Sequence, residues 1–108
     1  MSQIDEMIAD IRDIYERYSQ KGRGTEYVFA RLWEDYFDEN PDEEMIVYNL
    51  IIAQMNLEET VITANNRKCI DRAVKNYEVN KGCMETHFTE QDRAALVRIC
   101  DEIKSKML

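Results

Sequence analysis

The sequence predicts an all-α protein, a single compact bundle of five to six helices, and three observations carry that reading. Its 108 residues include only three glycines and one proline, so little in the chain interrupts a helix. Apolar side chains recur at spacings of three and four along most of the length, without a convincing strand alternation. Helix-start signals stand at Ser2, Thr25, Asn40, Asn56 and Thr89. With 44% hydrophobic and 33% charged residues, the stretch 1–108 has the composition of one domain with a real core and a solvated exterior.

The first helix is predicted over about Gln3 to Gln20, with Ser2 as cap and Asp5 at the third helical position. Ile4, Met7, Ile8, Ile11, Ile14, Tyr15 and Tyr18 then share one face. Gly22 and Gly24 break the chain; two glycines and two basic residues between helices match no phosphate-binding loop. Thr25 is the expected cap of a second helix reaching about Asp38. Its apolar residues cover more than one face and include the rings of Tyr27, Phe29, Trp33, Tyr36 and Phe37.

Asn40 as cap and Pro41 as first helical residue predict a third helix running to about Met55, apolar nearly all round and therefore central. Asn56 with Glu59 reads as a capping box opening a fourth helix, which runs to about Asn80. Val61, Ile62, Cys69, Ile70, Ala73, Val74 and Tyr77 are its expected buried residues, and Asn65-Asn66 is a point where it could break in two. Arg67, Lys68, Arg72 and Lys75 form an exposed basic stripe able to answer negative charge within the molecule. Gly82 ends that helix. Thr89 caps the last one, with Asp92 third in the helix, Phe88 placed as a hydrophobic staple, and a face of Ala95, Leu96, Ile99, Cys100, Ile103 and Met107.

The formal net charge of −8 is distributed unevenly. Residues 1–60 carry fifteen acidic and five basic side chains, residues 61–108 seven and nine. This balance speaks against direct nucleic-acid binding, which needs a basic surface to neutralise phosphates. Cys69, Cys83 and Cys100, odd in number and widely spaced, make no disulfide framework and fit a reducing compartment. The acidic N-terminus is unlike a signal peptide, and apolar runs of four residues are far too short for a bilayer. A soluble, cytoplasmic protein is expected.

The densest feature is Glu34 to Glu44, EDYFDENPDEE, with seven carboxylates in eleven residues and no basic residue. The plain alternative to function is a solvated face, and Asp42, Glu43 and Glu44 suit the positive end of the following helix. Glu34, Asp35, Asp38 and Glu39 instead fall at the negative end of a helix, at a cost of roughly a few tenths of a kcal/mol each. A chain that keeps them invites a positively charged partner, with nearby rings as anchors. The expected partner-binding residues are Trp33, Glu34, Asp35, Tyr36, Phe37, Asp38, Glu39, Asp42 and Glu43.

Catalytic and metal-binding readings are weaker. Asp38 to Asp42 imitates the opening of a calcium loop, but Glu43 stands where the turn needs glycine and Asn49 where a bidentate glutamate should close it. Cys83 and His87 lie four positions apart, yet no close cysteine pair accompanies them, and Cys69 and Cys100 occupy apolar helix faces. A Cys83–His87 nucleophile would need an orienting group and an oxyanion hole that the sequence does not display. Glu34 and Asp38 share a helix face but lack the histidine of a carboxylate metal site. No enzyme activity, metal or cofactor is expected.

The ordered segments IDEMIADIRDIYERY, KGRG, TEYVFARLWEDYFDEN, MIVYNLIIAQMNLEE, RKCIDRAVKN and DRAALVRICDEIKSK resemble an all-helical immunity-protein family of bacterial polymorphic toxin systems. The resemblance implies a non-enzymatic protein that binds a cognate toxin domain and occludes it. It also implies that an acidic face would capture a basic toxin, such as a nuclease. Two other readings stand beside it: an acidic mimic of nucleic acid that blocks a DNA- or RNA-binding protein, and a small metal-dependent enzyme using Cys83, His87 and neighbouring carboxylates.

Overall fold

A computed structural model describes residues 2–86 and 88–107. Five α-helices follow one another: α1 (Gln3–Ser19), α2 (Thr25–Tyr36), α3 (Glu43–Glu59), α4 (Ala64–Asn80) and α5 (Glu90–Met107). A 3-10 helix, Lys81–Thr86, joins α4 to α5, and the described residues contain no strand. This is the all-α bundle that the periodicity predicts.

The architecture follows from α3. Ile46, Val47, Leu50, Ile51, Ile52, Ala53 and Met55 are all buried and point around the whole circumference of the helix. A helix with no polar face must be surrounded, and α1, α2, α4 and α5 all pack against it. Each offers one apolar stripe: Ile4, Met7 and Ile11 from α1; Val28, Phe29, Leu32 and Trp33 from α2; Ile70, Ala73 and Tyr77 from α4; Leu96, Ile99, Cys100 and Ile103 from α5. Met84 of the 3-10 helix and Phe88 close the core beside them.

Local signals set the helix ends, in places differently from the sequence expectation. Ser2 caps α1 by accepting the Asp5 N–H at 3.2 Å, and Thr89 caps α5 by accepting the Asp92 N–H at 3.1 Å, both as expected. Gly22, at φ 74°, adopts the left-handed conformation past the end of α1 that glycine adopts without steric cost. Gly24 rather than Thr25 is the N-cap of α2, without a side-chain cap bond, and α2 ends at Tyr36 rather than Asp38. Helix α3 starts two residues later than expected. Asp42, not Asn40, is its cap, and its Oδ1 accepts the Met45 N–H at 2.9 Å. Asparagine and aspartate cap about equally well, so propensity cannot choose between them. Asn40 is instead held in a turn, its N–H donating to Asp38 Oδ1 at 3.0 Å.

The largest correction lies at the end of α3. Asn56 starts no helix; α3 runs through it to Glu59, and Asn56 is fully buried. The β-branched run Thr60-Val61-Ile62-Thr63 makes the break, and Thr63 caps α4 by accepting the Asn66 N–H at 3.1 Å. Val61, expected in the core, is 80% exposed in this linker. Asn65-Asn66 does not interrupt α4, and Gly82 lies inside the 3-10 helix rather than at the end of α4.

Asn49 and Asn56, two turns apart on α3, form a polar seam against α2. Asn49 Nδ2 donates to the carbonyls of Met45 (2.6 Å) and Tyr36 (3.2 Å). The Tyr36 carbonyl belongs to the last turn of α2, where backbone acceptors lack helical partners. Asn56 Oδ1 accepts the indole N–H of Trp33 at 3.2 Å in the interior.

Two stability tests follow from these assignments. Asn56→Ala strands the buried indole N–H and should cost about 1–3 kcal/mol in urea denaturation; an unchanged midpoint would show that the bond contributes nothing. Asp42→Ala should cost about 1 kcal/mol through the lost cap, and Asn40→Ala distinctly less. The reverse order would place the start of α3 at Asn40.

Candidate interaction surface

The segment from Glu34 to Glu44 spans the last turn of α2, the loop 37–42 and the first turn of α3. The chain itself engages at least four of its seven carboxylates. Glu34 pairs with Arg31 at 3.6 Å, and Asp35 accepts the Tyr18 hydroxyl of α1 at 2.5 Å. Asp38 holds the Asn40 turn and Asp42 caps α3. The negative charge at the end of α2 is thus offset by a neighbouring guanidinium and a phenol. The charge at the start of α3 favours the helix dipole.

The aromatic residues divide between core and surface. Trp33 is 4% exposed and committed to Asn56, so its ring offers no area to another molecule. Tyr36 and Phe37 are half-buried, and Asp38, Glu39 and Asp42 are exposed. The ring of Tyr36 packs on that of Tyr48 of α3, centroids 5.5 Å apart, and the Tyr48 hydroxyl donates to Asp10 of α1 at 3.3 Å. Tyr18, Tyr36 and Tyr48 therefore line one face beside Asp10 and Asp35. Periodicity places Tyr18 on the apolar face of α1 and Tyr48 in the apolar α3, but gives neither hydroxyl its carboxylate partner. The available signal was chemical, since a tyrosine at the margin of an apolar face has a hydroxyl that must reach a partner or water.

All three phenols are harder to ionise than usual. Burial is the main cause at Tyr36 and Tyr48, with Asp35 and Asp10 adding repulsion. At Tyr18 the hydrogen bond to Asp35 is the leading cause.

Two open depressions flank the junction. One, of about 460 Å³, is lined by Pro41, Asp42, Glu43, Glu44, Ile46, Asn80 and Cys83. The other, of about 550 Å³, lies between the loop and α4, with Phe37 and Glu39 on one side and Asn65, Lys68, Cys69 and Arg72 on the other. The basic stripe of α4 thus does approach the acidic segment. Among the described residues, however, neither Lys68 nor Arg72 forms an ion pair.

No disulfide joins the three cysteines: Cys100 is buried, Cys69 half-buried and Cys83 exposed. Burial pushes the Cys69 and Cys100 thiols up, towards the unreactive neutral form. His87, the suggested partner of Cys83, falls outside the described residues. Among those residues no group of three His, Cys, Asp or Glu side chains could hold a metal ion. Among the described residues no helix is long and apolar enough to cross a membrane.

The family model described as Immunity protein Imm3 matches residues 1–107. No curated protein and no solved structure matches the chain.

The tyrosine face has a pH signature. A phenol held neutral in the folded state loses no stability while the unfolded chain is also protonated, below about pH 10. Above that pH the unfolded chain ionises first, and stability should fall as pH rises towards the elevated folded-state values. Thermal unfolding across the alkaline range should show this fall. It should be shallower in Tyr36→Phe with Tyr48→Phe, whereas an equal slope would remove these residues as its cause.

Proposed function

The chain belongs to the Imm3 family of immunity proteins, and on that premise we propose that it binds and neutralises a cognate toxin domain without catalysis of its own. The family match over residues 1–107 is the observation that carries the reading. The contact surface in this proposal is the acidic junction: Glu34, Asp35, Asp38, Glu39, Asp42 and Glu43, with the half-buried rings of Tyr36 and Phe37 as anchors. Trp33 supports that surface from within.

Three features favour this surface. It joins exposed carboxylates to aromatic area, the combination that gives both steering and hot-spot contacts. Capping and hydrogen bonds to Tyr18, Asn40 and Met45 hold the carboxylates in place, so little ordering is needed on binding. The net charge of −8 would accelerate encounter with a basic domain. The toxin in this reading is basic, and a nuclease is one such toxin. Mimicry of nucleic acid is the weaker reading, because the chain's own groups already engage four of these carboxylates. Three cysteines without a disulfide suit action in a reducing cytoplasm.

Growth of cells making the toxin domain encoded beside this chain tests the proposal. Co-expression should restore growth, and protection in vitro should saturate at equimolar inhibitor, as occlusion requires. Asp38→Lys with Glu39→Lys should weaken binding about tenfold or more and lower its salt sensitivity. Toxicity without rescue would reject the immunity role. Rescue and affinity untouched by the double reversal would reject the acidic face.

A further inference from the structure

Lys68 and Arg72 of α4 form no ion pair among the described residues, in a chain with 22 acidic and 14 basic side chains. Several other basic residues are engaged: Arg17 with Asp13, Arg31 with Glu34, Lys104 with Glu78, and Lys106 with Glu58 and Glu102. Lys68 and Arg72 lie one turn apart on α4 and line the same depression as Glu39, yet no ion pair joins them to it. Phe37 and Cys69, both half-buried, give that depression apolar wall area, and burial pushes the Cys69 thiol up.

From this arrangement we infer that the depression between the 37–42 loop and α4 receives an acidic side chain of the toxin, flanked by an apolar one, with Lys68 and Arg72 binding the carboxylate and Phe37 packing on the neighbour. This inference rests on the immunity reading and deepens it. The recognised surface is bipolar, with a basic patch of the toxin on the junction and a carboxylate of the toxin on α4. A planar guanidinium beside an ammonium is well suited to a carboxylate, one offering a two-pronged hydrogen bond and the other a point charge. Glu39 sits at the boundary of the two regions, so one interface of ordinary size would cover both. Phosphate is disfavoured, because a dianion would lie against Glu39 in a chain already at −8.

The bipolar arrangement makes a prediction opposite to that of uniform acidity. Lys68→Glu with Arg72→Glu makes the chain more negative, so a purely acidic mechanism predicts tighter binding to a basic toxin. The bipolar surface predicts weaker binding, carried by dissociation about tenfold or more faster while association is unchanged or faster. Kinetics of the toxin domain encoded beside this chain, on immobilised wild type and variants, distinguish the two. Lys68→Gln with Arg72→Gln should shift dissociation in the same direction by a smaller factor. Thermal melts of both variants should match wild type, because the two side chains carry no ion pair among the described residues. Unchanged or tighter binding by the glutamate variant would overturn the inference, even if Asp38→Lys with Glu39→Lys still weakens binding. Loss of binding only in the α4 variants would keep the groove and remove the acidic junction. Failure of the wild type to bind would overturn both readings.

Discussion

A helix without a polar face dictates the rest of this molecule. Helix α3 buries apolar side chains on every side, so the other four α-helices have one task in common, to cover it. Burying each Val, Leu, Ile or Met contributes roughly 1.5–3 kcal/mol, which far exceeds any single surface interaction in the chain. That driving force is not directional, and several wrappings would satisfy it. Asn49 and Asn56 supply the missing direction. A buried amide must find its partners, so α2 is held where the Tyr36 carbonyl and the Trp33 indole meet them. Neither amide is fully satisfied: Asn49 Oδ1 and Asn56 Nδ2 lack hydrogen-bond partners among the described residues. A residual cost of this kind is consistent with polar groups that specify an arrangement rather than maximise stability.

That seam also fixes the acidic junction. Once the end of α2 is held by Asn49 and the start of α3 by Asp42, the six residues between them have little freedom. Asp35 is tied to α1 through Tyr18 and Asp38 to Asn40, so carboxylates from one continuous stretch project from a rigid support. Rigidity matters because disordered side chains lose entropy on binding and so lose affinity. The same support places Tyr36 against Tyr48 on the α1 side and Phe37 beside α4. The junction therefore separates two aromatic surfaces of different character.

The helical content, the central place of α3 and the caps at Ser2 and Thr89 were legible in the sequence because they rest on local chemistry: periodicity, composition and side chains reaching their own backbone. The errors have two sources, a local choice between equivalent residues and contacts distant in sequence. Asn40 and Asp42 are equivalent by propensity, and only the turn made by Asp38 separates them. Asn56 looked like a cap because asparagine is common there, but its actual partner, Trp33, lies 23 residues away in sequence. The same contact removed Trp33 from the exposed rings. Tyr18 and Asp35, 17 residues apart, and Tyr48 and Asp10, 38 apart, are likewise tertiary pairs with no local signature. The candidate surface was thus readable as a stretch of sequence but not as a shape.

Charge at two ranges connects this shape to recognition. A net charge of −8 acts over about 8 Å before physiological salt screens it, which is far enough to gather a basic partner but too far to distinguish one basic protein from another. Discrimination must come from groups in contact, and among these a feature of opposite sign carries the most information. A partner that merely matches the acidic junction would bring positive charge towards Lys68 and Arg72 and be repelled there. Only a partner with a carboxylate at that place gains from both regions. In the proposed complex, exposed Lys68 and half-buried Arg72 of α4, which form no ion pair among the described residues, would therefore be where a broadly attractive acidic surface becomes selective.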